Sequence, residues 1–352
     1  MASSSKPLVL LTGGSGFIGA HVLDLLLKSN YQVRCVARSA RTAQFLESQY
    51  SSHAADVSSI VVPDIQAPNV LDDAMKDVDF ILHLASPFFI VSDDPLKDLI
   101  EPAVNVTKNV VASALNSPNS RLKRLVITSS LAAILDPFKG PAQAGYTYTE
   151  KDWSPVTLEQ GQKSGGLGYF ASKRFAEQAA WEMWSSAKPD WDLVAINPCT
   201  VYGPPIQEID PAKGIDGLNT SVRDLLRGIL GMDPKFKPKV TTPAVPAWVD
   251  VRNVALAHVN ALSLPKGISE RFLVCDGVDN FEDGLDELRR WGGDAWLGEP
   301  GEKLDRTKTY AVDSSRSREL LGLKAAPFGR MIEEVLERMK AVGMLSNVQL
   351  KL

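Results

Sequence analysis

Short apolar, β-branched runs alternate with helical stretches through the first 200 residues. That alternation restricts the possible folds more than any other feature of the chain. The runs are PLVLLT (7–12), YQVRCVA (31–37), SSIVV (58–62), VDFILHLA (78–85), LKRLVITSS (122–130) and WDLVAIN (191–197). Between them lie a helix face marked by Ile18, Val22 and Leu25, and helical stretches at 40–50, 94–117 and 169–188. Parallel strands need a crossover and helices supply it, so the pattern predicts an α/β doubly wound parallel sheet with helices on both faces. Ligands in such sheets bind beyond the C-terminal strand ends, near the switch in strand order.

The first connection carries chemistry. LTGGSGFIGAHVLDLLL (11–27) places Gly13, Gly16 and Gly19 between a strand and an amphipathic helix. Such glycines allow a tight turn and let backbone amides approach a pyrophosphate at the helix N-terminus. This is a variant of the Rossmann-type dinucleotide fingerprint. NAD-binding versions place an acid about ~20 residues on, for the ribose 2′-hydroxyl. Here VRCVARSARTAQFLE (33–47) has no acid before Glu47 and offers Arg38 and Arg41. A guanidinium matches a 2′-phosphate in charge and fork geometry, so the expected cofactor is NADP(H).

Past residue 200 the alternation loosens. Residues 135–168, 203–217 and 232–247 are irregular and rich in Gly and Pro, as functional or mobile connections often are. Helical pieces are expected near 218–230, 251–264, 281–291 and 327–342, with a strand at RFLVC (271–275). A chain of 352 residues suits a large domain with a second lobe. The division read here is an NADP-binding Rossmann domain over 1–202, with 248–266 packing back onto it. A smaller C-terminal substrate-binding lobe takes 203–247 and 267–352.

Composition removes several function classes. A net charge of −4 gives no hint of a nucleic-acid or polybasic membrane partner. No run approaches the ~20 apolar residues of a membrane helix, and MASSSKPLVLLTGG lacks a signal-peptide pattern. Three scattered cysteines, Cys35, Cys199 and Cys275, suggest reduced thiols and a cytoplasmic protein. The four histidines, His21, His53, His83 and His258, show no metal-ligand spacing, so no metal is expected.

The reacting groups are read from YFASKRFAEQAAW (169–181). Tyr169 and Lys173 stand one helical turn apart on one face. A cation about ~4 Å from a phenol, at an effective dielectric of ~20, is worth up to ~4 kcal/mol, so Lys173 is expected to lower the Tyr169 pKa toward neutrality. A phenol so tuned is a general acid for a carbonyl oxygen. A hydroxyl must also steady the developing oxyanion, and TSS offers Ser129 and Ser130. Their side chains point to opposite faces of the strand, and composition does not choose between them.

With these motifs in order, the chain resembles an extended short-chain dehydrogenase/reductase. Within that superfamily it is similar to the dihydroflavonol-reductase-like branch, and most to the fungal NADPH-dependent carbonyl and methylglyoxal reductases. The matching pieces are TGGSGFIG (12–19), ARS (37–39), HLASPF (83–88), VITSSLAAI (126–134), the Tyr169 segment, NPCTVYGP (197–204) and WVDVRNVALAHVNAL (248–262). The resemblance implies catalytic Ser130, Tyr169 and Lys173, with Lys173 also holding the nicotinamide ribose. It implies further cofactor contacts from Phe17, Ile18, Asp64, Ile65, Ala85, Ser86, Pro198, Val201 and Ser221. The family's second basic residue falls on Thr42 here, leaving open whether Arg41 or Thr42 assists Arg38.

The expected activity is NADPH-dependent reduction of an aldehyde or ketone by a monomer or homodimer. SPFFIV (86–91) would offer Phe88 and Phe89 as an apolar substrate wall. The runner-up is nucleotide-sugar epimerisation or dehydration, for which Arg223, Arg227 and Lys235 to Lys239 are candidate diphosphate anchors. A non-catalytic NADP-sensing regulator is the alternative of a different class, although it need not keep Ser130, Tyr169 and Lys173 together.

Overall fold

Seven parallel strands form one sheet: β1 (Leu8–Thr12), β2 (Gln32–Ala37), β3 (Val57–Val61), β4 (Phe80–His83), β5 (Arg124–Thr128), β6 (Asp192–Pro198) and β7 (Arg271–Val274). Their spatial order is β7-β6-β5-β4-β1-β2-β3. The order reverses between β1 and β4, where Leu11 pairs with Cys35 on one side and Leu82 on the other. The computed structural model describes residues 6–86, 92–117, 121–230, 240–290 and 300–345.

Burial explains the sequence pattern. All seven residues of β6 are buried, because helices cover both faces and leave no polar side. Nearer the edge, β2 alternates, burying Val33, Cys35 and Ala37. Helix α1 (Phe17–Lys28) packs on one face against a later helix, Val251–Ala261. On the other face α3 (Glu101–Asn116) packs against α4 (Gly165–Ala187); α2 (Ala40–Gln49) lies on β2 and β3 on the α1 side, where its Leu46 joins the same core.

A second core lies beyond the strand ends. Helices α5 (Thr220–Ile229), α7 (Phe281–Arg290) and α8 (Phe328–Ala341) supply part of it, whereas α6 (Val251–Ala261) belongs to the main core. Val222, Leu226, Leu285, Met331 and Val335 fill this lobe, and the Trp248 and Phe328 rings stack at 4.3 Å.

One boundary needs correction. The division places Arg271–Val274 in the smaller lobe, but this strand pairs with Ala195–Pro198 as the outer strand of the main sheet. Its local pattern marked a strand correctly; only long-range pairing decides which sheet it joins. Part of the 135–168 stretch is also tied to the rest of the fold. Thr147–Tyr148 pairs with Ala311–Val312, and the buried Tyr148 ring packs edge-on against Tyr310 at 5.3 Å.

Candidate active site

The turn after β1 is built at the switch point. Gly13 has φ +75°, and a Cβ there would stand 2.8 Å from the Ala85 amide nitrogen. At Gly19 a Cβ would stand 1.9 Å from the Gly13 oxygen, so the helix approaches the turn as only glycine permits. Gly16 is the N-cap of α1 and no side chain caps that end. Thr12 secures the junction. Its Oγ1 accepts the Leu84 and Ala85 N–H groups, both at 3.1 Å, and gives its own proton to His83 Nδ1 at 2.8 Å. Burial holds the His83 pKa down to about 3, with Lys173 adding a smaller push, so it stays the neutral acceptor this arrangement needs.

At the end of β2, Arg38 is exposed one residue past the strand. Ser39 caps α2 by accepting the Thr42 N–H at 3.2 Å, and the two hydroxyls lie 3.0 Å apart. Thr42 is therefore engaged in the cap. Arg41 pairs with Glu208 at 2.5 Å, across to the 203–217 segment. His21, against the Pro204 carbonyl at 3.0 Å, and Arg338, donating to the Pro205 carbonyl at 2.9 Å, anchor the start of that segment.

The catalytic candidates converge one strand pair away. Ser164 caps α4 through the Leu167 N–H, and the helix carries Tyr169 and Lys173 to the ends of β4 and β5. Tyr169 Oη donates to Ser130 Oγ at 3.4 Å. Ser130 Oγ also accepts the Ala132 N–H at 3.1 Å, capping a short turn, so this hydroxyl has a structural partner beside its catalytic neighbour. Lys173 Nζ donates to Ser86 Oγ at 3.1 Å and lies 5.9 Å from the Tyr169 ring centroid. Ser129 points away and donates to Glu177. The geometry thus separates the two serines and brings Ser130, not Ser129, to the phenol.

The Tyr169 ionisation differs from the sequence expectation. Burial raises its pKa, and the hydrogen bond to Ser130 opposes this only in part. Lys173 stands over the ring rather than against the hydroxyl, and burial lowers its own pKa to about 8. Helical spacing placed the two groups on one face, but it carried no information on how much water the site excludes. A phenol held above its usual value keeps its proton at neutral pH and remains able to donate it.

The other expected contacts are spread along the same edge. Phe17 lies edge-on to His21 and packs against the lobe core, while Ile18 packs on the main core. Asp64 accepts the Gln66 N–H in a turn after β3, and the Ile65 carbonyl accepts from Asn109. Pro198 ends β6 opposite Val274; Val201 follows on Thr200–Tyr202, opposite Val249. Ser221 is in the first turn of α5 and accepts from Asn219 at 3.0 Å. Phe88, Phe89 and Lys235 to Lys239 lie outside the described residues. Among the described residues no cluster of His, Cys, Asp or Glu could hold a metal ion, and no helix is long and apolar enough to cross a membrane.

Sequence reasoning missed Glu177, Asn197 and Arg271, which form a polar cluster behind Ser129. Asn197 and Arg271 did leave a signal, as polar residues ending or opening otherwise apolar strands.

A doubly wound sheet with a glycine turn at its switch point and a Ser–Tyr–Lys cluster beside it defines a nucleotide-dependent enzyme class. The chain belongs to the NAD dependent epimerase/dehydratase family, whose model matches residues 9–275. It is 40% identical to an uncharacterized oxidoreductase of Schizosaccharomyces pombe over 81% of this chain and 82% of that one. It is 34% identical to the NADPH-dependent methylglyoxal reductase of Saccharomyces cerevisiae over 90% of this chain and 93% of that one. The crystal structure of yeast methylglyoxal/isovaleraldehyde reductase Gre2 complexed with NADPH superposes with a TM-score of 0.85 at 31% identity, covering 96% of this chain and 99% of that one.

The residues present fit such a coenzyme. Glycine at 13 and 19 lets the turn and the start of α1 close against each other with no side chain between them, and the α1 N-terminus has no side-chain cap competing for an anion.

Proposed function

We propose that this protein reduces aldehydes or ketones to alcohols with NADPH, as a cytoplasmic enzyme acting on small carbonyl compounds. The observation that carries this reading is the meeting of Ser130, Tyr169 and Lys173 beside the glycine turn. When bound, NADPH supplies the hydride. Gly13, Gly16 and Gly19 would hold its pyrophosphate, Arg38 its 2′-phosphate, and Lys173 its nicotinamide-side ribose. Ser130 gives a hydrogen bond to the substrate oxygen as negative charge grows there. Tyr169 transfers its phenolic proton to that oxygen, and the Lys173 ammonium stabilises the phenolate left behind.

Epimerase or dehydratase chemistry on a nucleotide sugar is supported less. Its candidate anchors Arg223 and Arg227 are paired with Asp224 at 3.3 Å and Asp216 at 2.5 Å.

Turnover of NADPH across aliphatic, aromatic and 1,2-dicarbonyl substrates, beside UDP-sugars, tests the reading. Tyr169→Phe keeps the ring and removes the proton. Its kcat for carbonyl reduction should fall at least ~100-fold with NADPH affinity little changed. A variant with near-normal kcat would remove Tyr169 from the proton-donor role.

A further inference from the structure

Glu177 follows Lys173 by four residues, so Tyr169, Lys173 and Glu177 form one ladder along α4. Solvent does not reach its end, because Glu177 is 1% exposed. Its carboxylate gathers donors from four elements. Oε2 accepts from Ser129 at the end of β5 and from Asn197 of β6 at 2.8 Å. Oε1 accepts from Trp181 of its own helix at 3.2 Å and from Arg271 Nε of β7 at 2.5 Å. Asn197 also donates to the Ser130 carbonyl at 3.3 Å. Arg271 reaches on to the Glu150 and Asp152 carbonyls at 2.7 and 2.6 Å and stacks 3.7 Å from the Trp153 ring centroid. A cavity of about 20 Å³ is lined by both Lys173 and Glu177, with His83, Ser86 and Ser129.

A carboxylate this buried costs stability unless every oxygen is satisfied and its charge is met. The hydrogen bonds and Arg271 do both. The same charge faces the cavity it shares with Lys173.

We propose that Glu177 is a positioning residue of the reaction centre. It fixes the strand end that carries Ser130, through Ser129 and Asn197, and it supplies the counter-charge that keeps the Lys173 ammonium protonated. The inference rests on the reading of Ser130, Tyr169 and Lys173 as that centre.

Among the described residues, these charged and titratable groups surround Lys173. Tyr169 and Glu177 share its helix, His83 faces it from β4, and Arg271 of β7 stands behind Glu177. His83 is neutral over the working range. Burial pulls Lys173 down and Glu177 opposes that pull. Arg271 offsets part of the carboxylate's charge, so the hold on Lys173 is smaller than a bare carboxylate would exert.

Two substitutions test this in opposite directions. Glu177→Gln keeps the size and removes the charge, while Arg271→Gln removes the partner and leaves the carboxylate. Lys173 ionisation is read in the free protein from the pH dependence of its acetylation, followed by mass spectrometry, which needs no turnover. The Lys173 midpoint should fall by about half to one pH unit in Glu177→Gln and rise in Arg271→Gln. The kcat of Glu177→Gln should fall ~10-fold or more per folded molecule, with its pH profile displaced by the same amount. If Glu177→Gln does not fold, the Arg271→Gln midpoint decides. Unchanged midpoints, or a loss of thermal stability alone with kcat and its pH profile preserved, overturn the proposal. A wild-type protein inert toward carbonyls overturns the reaction reading instead, and the labelling shift still reports the hold of Glu177 on Lys173.

Discussion

Arg38 and Arg41 stand three residues apart, yet their surroundings give them different work. Arg38 is exposed just past β2, on the side where the adenosine ribose of a dinucleotide belongs. Arg41 is already paired with Glu208, so phosphate must compete for it. A charge-assisted hydrogen bond is worth about ~1.5–3 kcal/mol, or roughly 10- to 150-fold in affinity. Arg38→Ala should weaken NADPH binding by one to two decades, read as coenzyme fluorescence at fixed ionic strength, with NADH little affected. Arg41→Ala should cost about threefold or less, because losing the phosphate contact also releases the Glu208 pair. Equal losses of NADPH and NADH in Arg38→Ala would make it a general surface residue. At this scale the sequence was legible where spacing along one helix sets contact, as for Tyr169 and Lys173. It was not legible for Glu177. A carboxylate four residues after a lysine reads as a solvated pair, and only the docking of α4 on β5, β6 and β7 buries it. The Tyr169 pKa escaped for the same reason, since its direction depends on water excluded by distant elements.

Elements were easier to read than their partners. The central strands of the main sheet were legible as apolar runs, because strands buried on both faces cannot carry polar alternation, while β2 nearer the edge showed alternation instead. Strand 271–274 was found but assigned to the wrong layer, since pairing with β6 spans more than 70 residues and leaves no local mark. The Gly/Pro-rich stretch 135–168 reads as a functional or mobile connection. The structure holds its later part with long-range bonds: Ala311 N to Tyr146 O at 2.8 Å, Asp313 N to Tyr148 O at 2.9 Å, and the Arg271 bonds to Glu150 and Asp152. Such bonds open only with the surrounding structure, so hydrogen exchange should divide the two irregular segments. The amides of Ala311 and Asp313, and that of Ser154 bonded to the Ala133 carbonyl, should be protected nearly as well as β1. Residues 206–217, exposed or half-buried throughout, should exchange at least ~100-fold faster and slow when coenzyme binds. Fast exchange at Ala311 and Asp313 would make 146–154 a mobile connection instead.

Across the whole molecule, buried groups that join its layers shift acid stability, among them His83, His258 and Asp276. His83 ties β1 to β4 through Thr12, and burial holds its pKa to about 3. His258 ties α6 to β5: its Nδ1–H donates to the Val254 carbonyl at 2.7 Å, Nε2 accepts from Thr128 at 2.7 Å, and burial holds its pKa to about 4. Each takes a proton more readily once unfolded, where its ordinary value is 6.5. Their stabilisation is complete above pH 6.5 and is lost as pH falls from there toward the folded values. At about pH 5 that loss is roughly 2 kcal/mol for each histidine. Asp276 works the other way. It accepts from Asp250 N and Asn253 Nδ2, both at 2.8 Å, and burial raises its pKa from 3.8 to about 6. The folded state therefore binds that proton first, and lowering the pH from 7 to 5 gains about 1.4 kcal/mol at this position. The two histidines outweigh it, and these three groups together lose about 2–3 kcal/mol, a large part of the stability of an ordinary domain; His21, its pKa also lowered by burial, acts in the same direction as those two histidines. In His83→Asn the amide oxygen replaces Nδ1 as acceptor for Thr12 and cannot be protonated. Urea unfolding at pH 7.5 and pH 5 should then show about 2 kcal/mol less acid loss than in wild type, whatever the variant costs at pH 7.5. An identical difference between the two pH values in variant and wild type would mean that His83 is not held neutral, and that the β1–β4 junction beneath the glycine turn tolerates its charge.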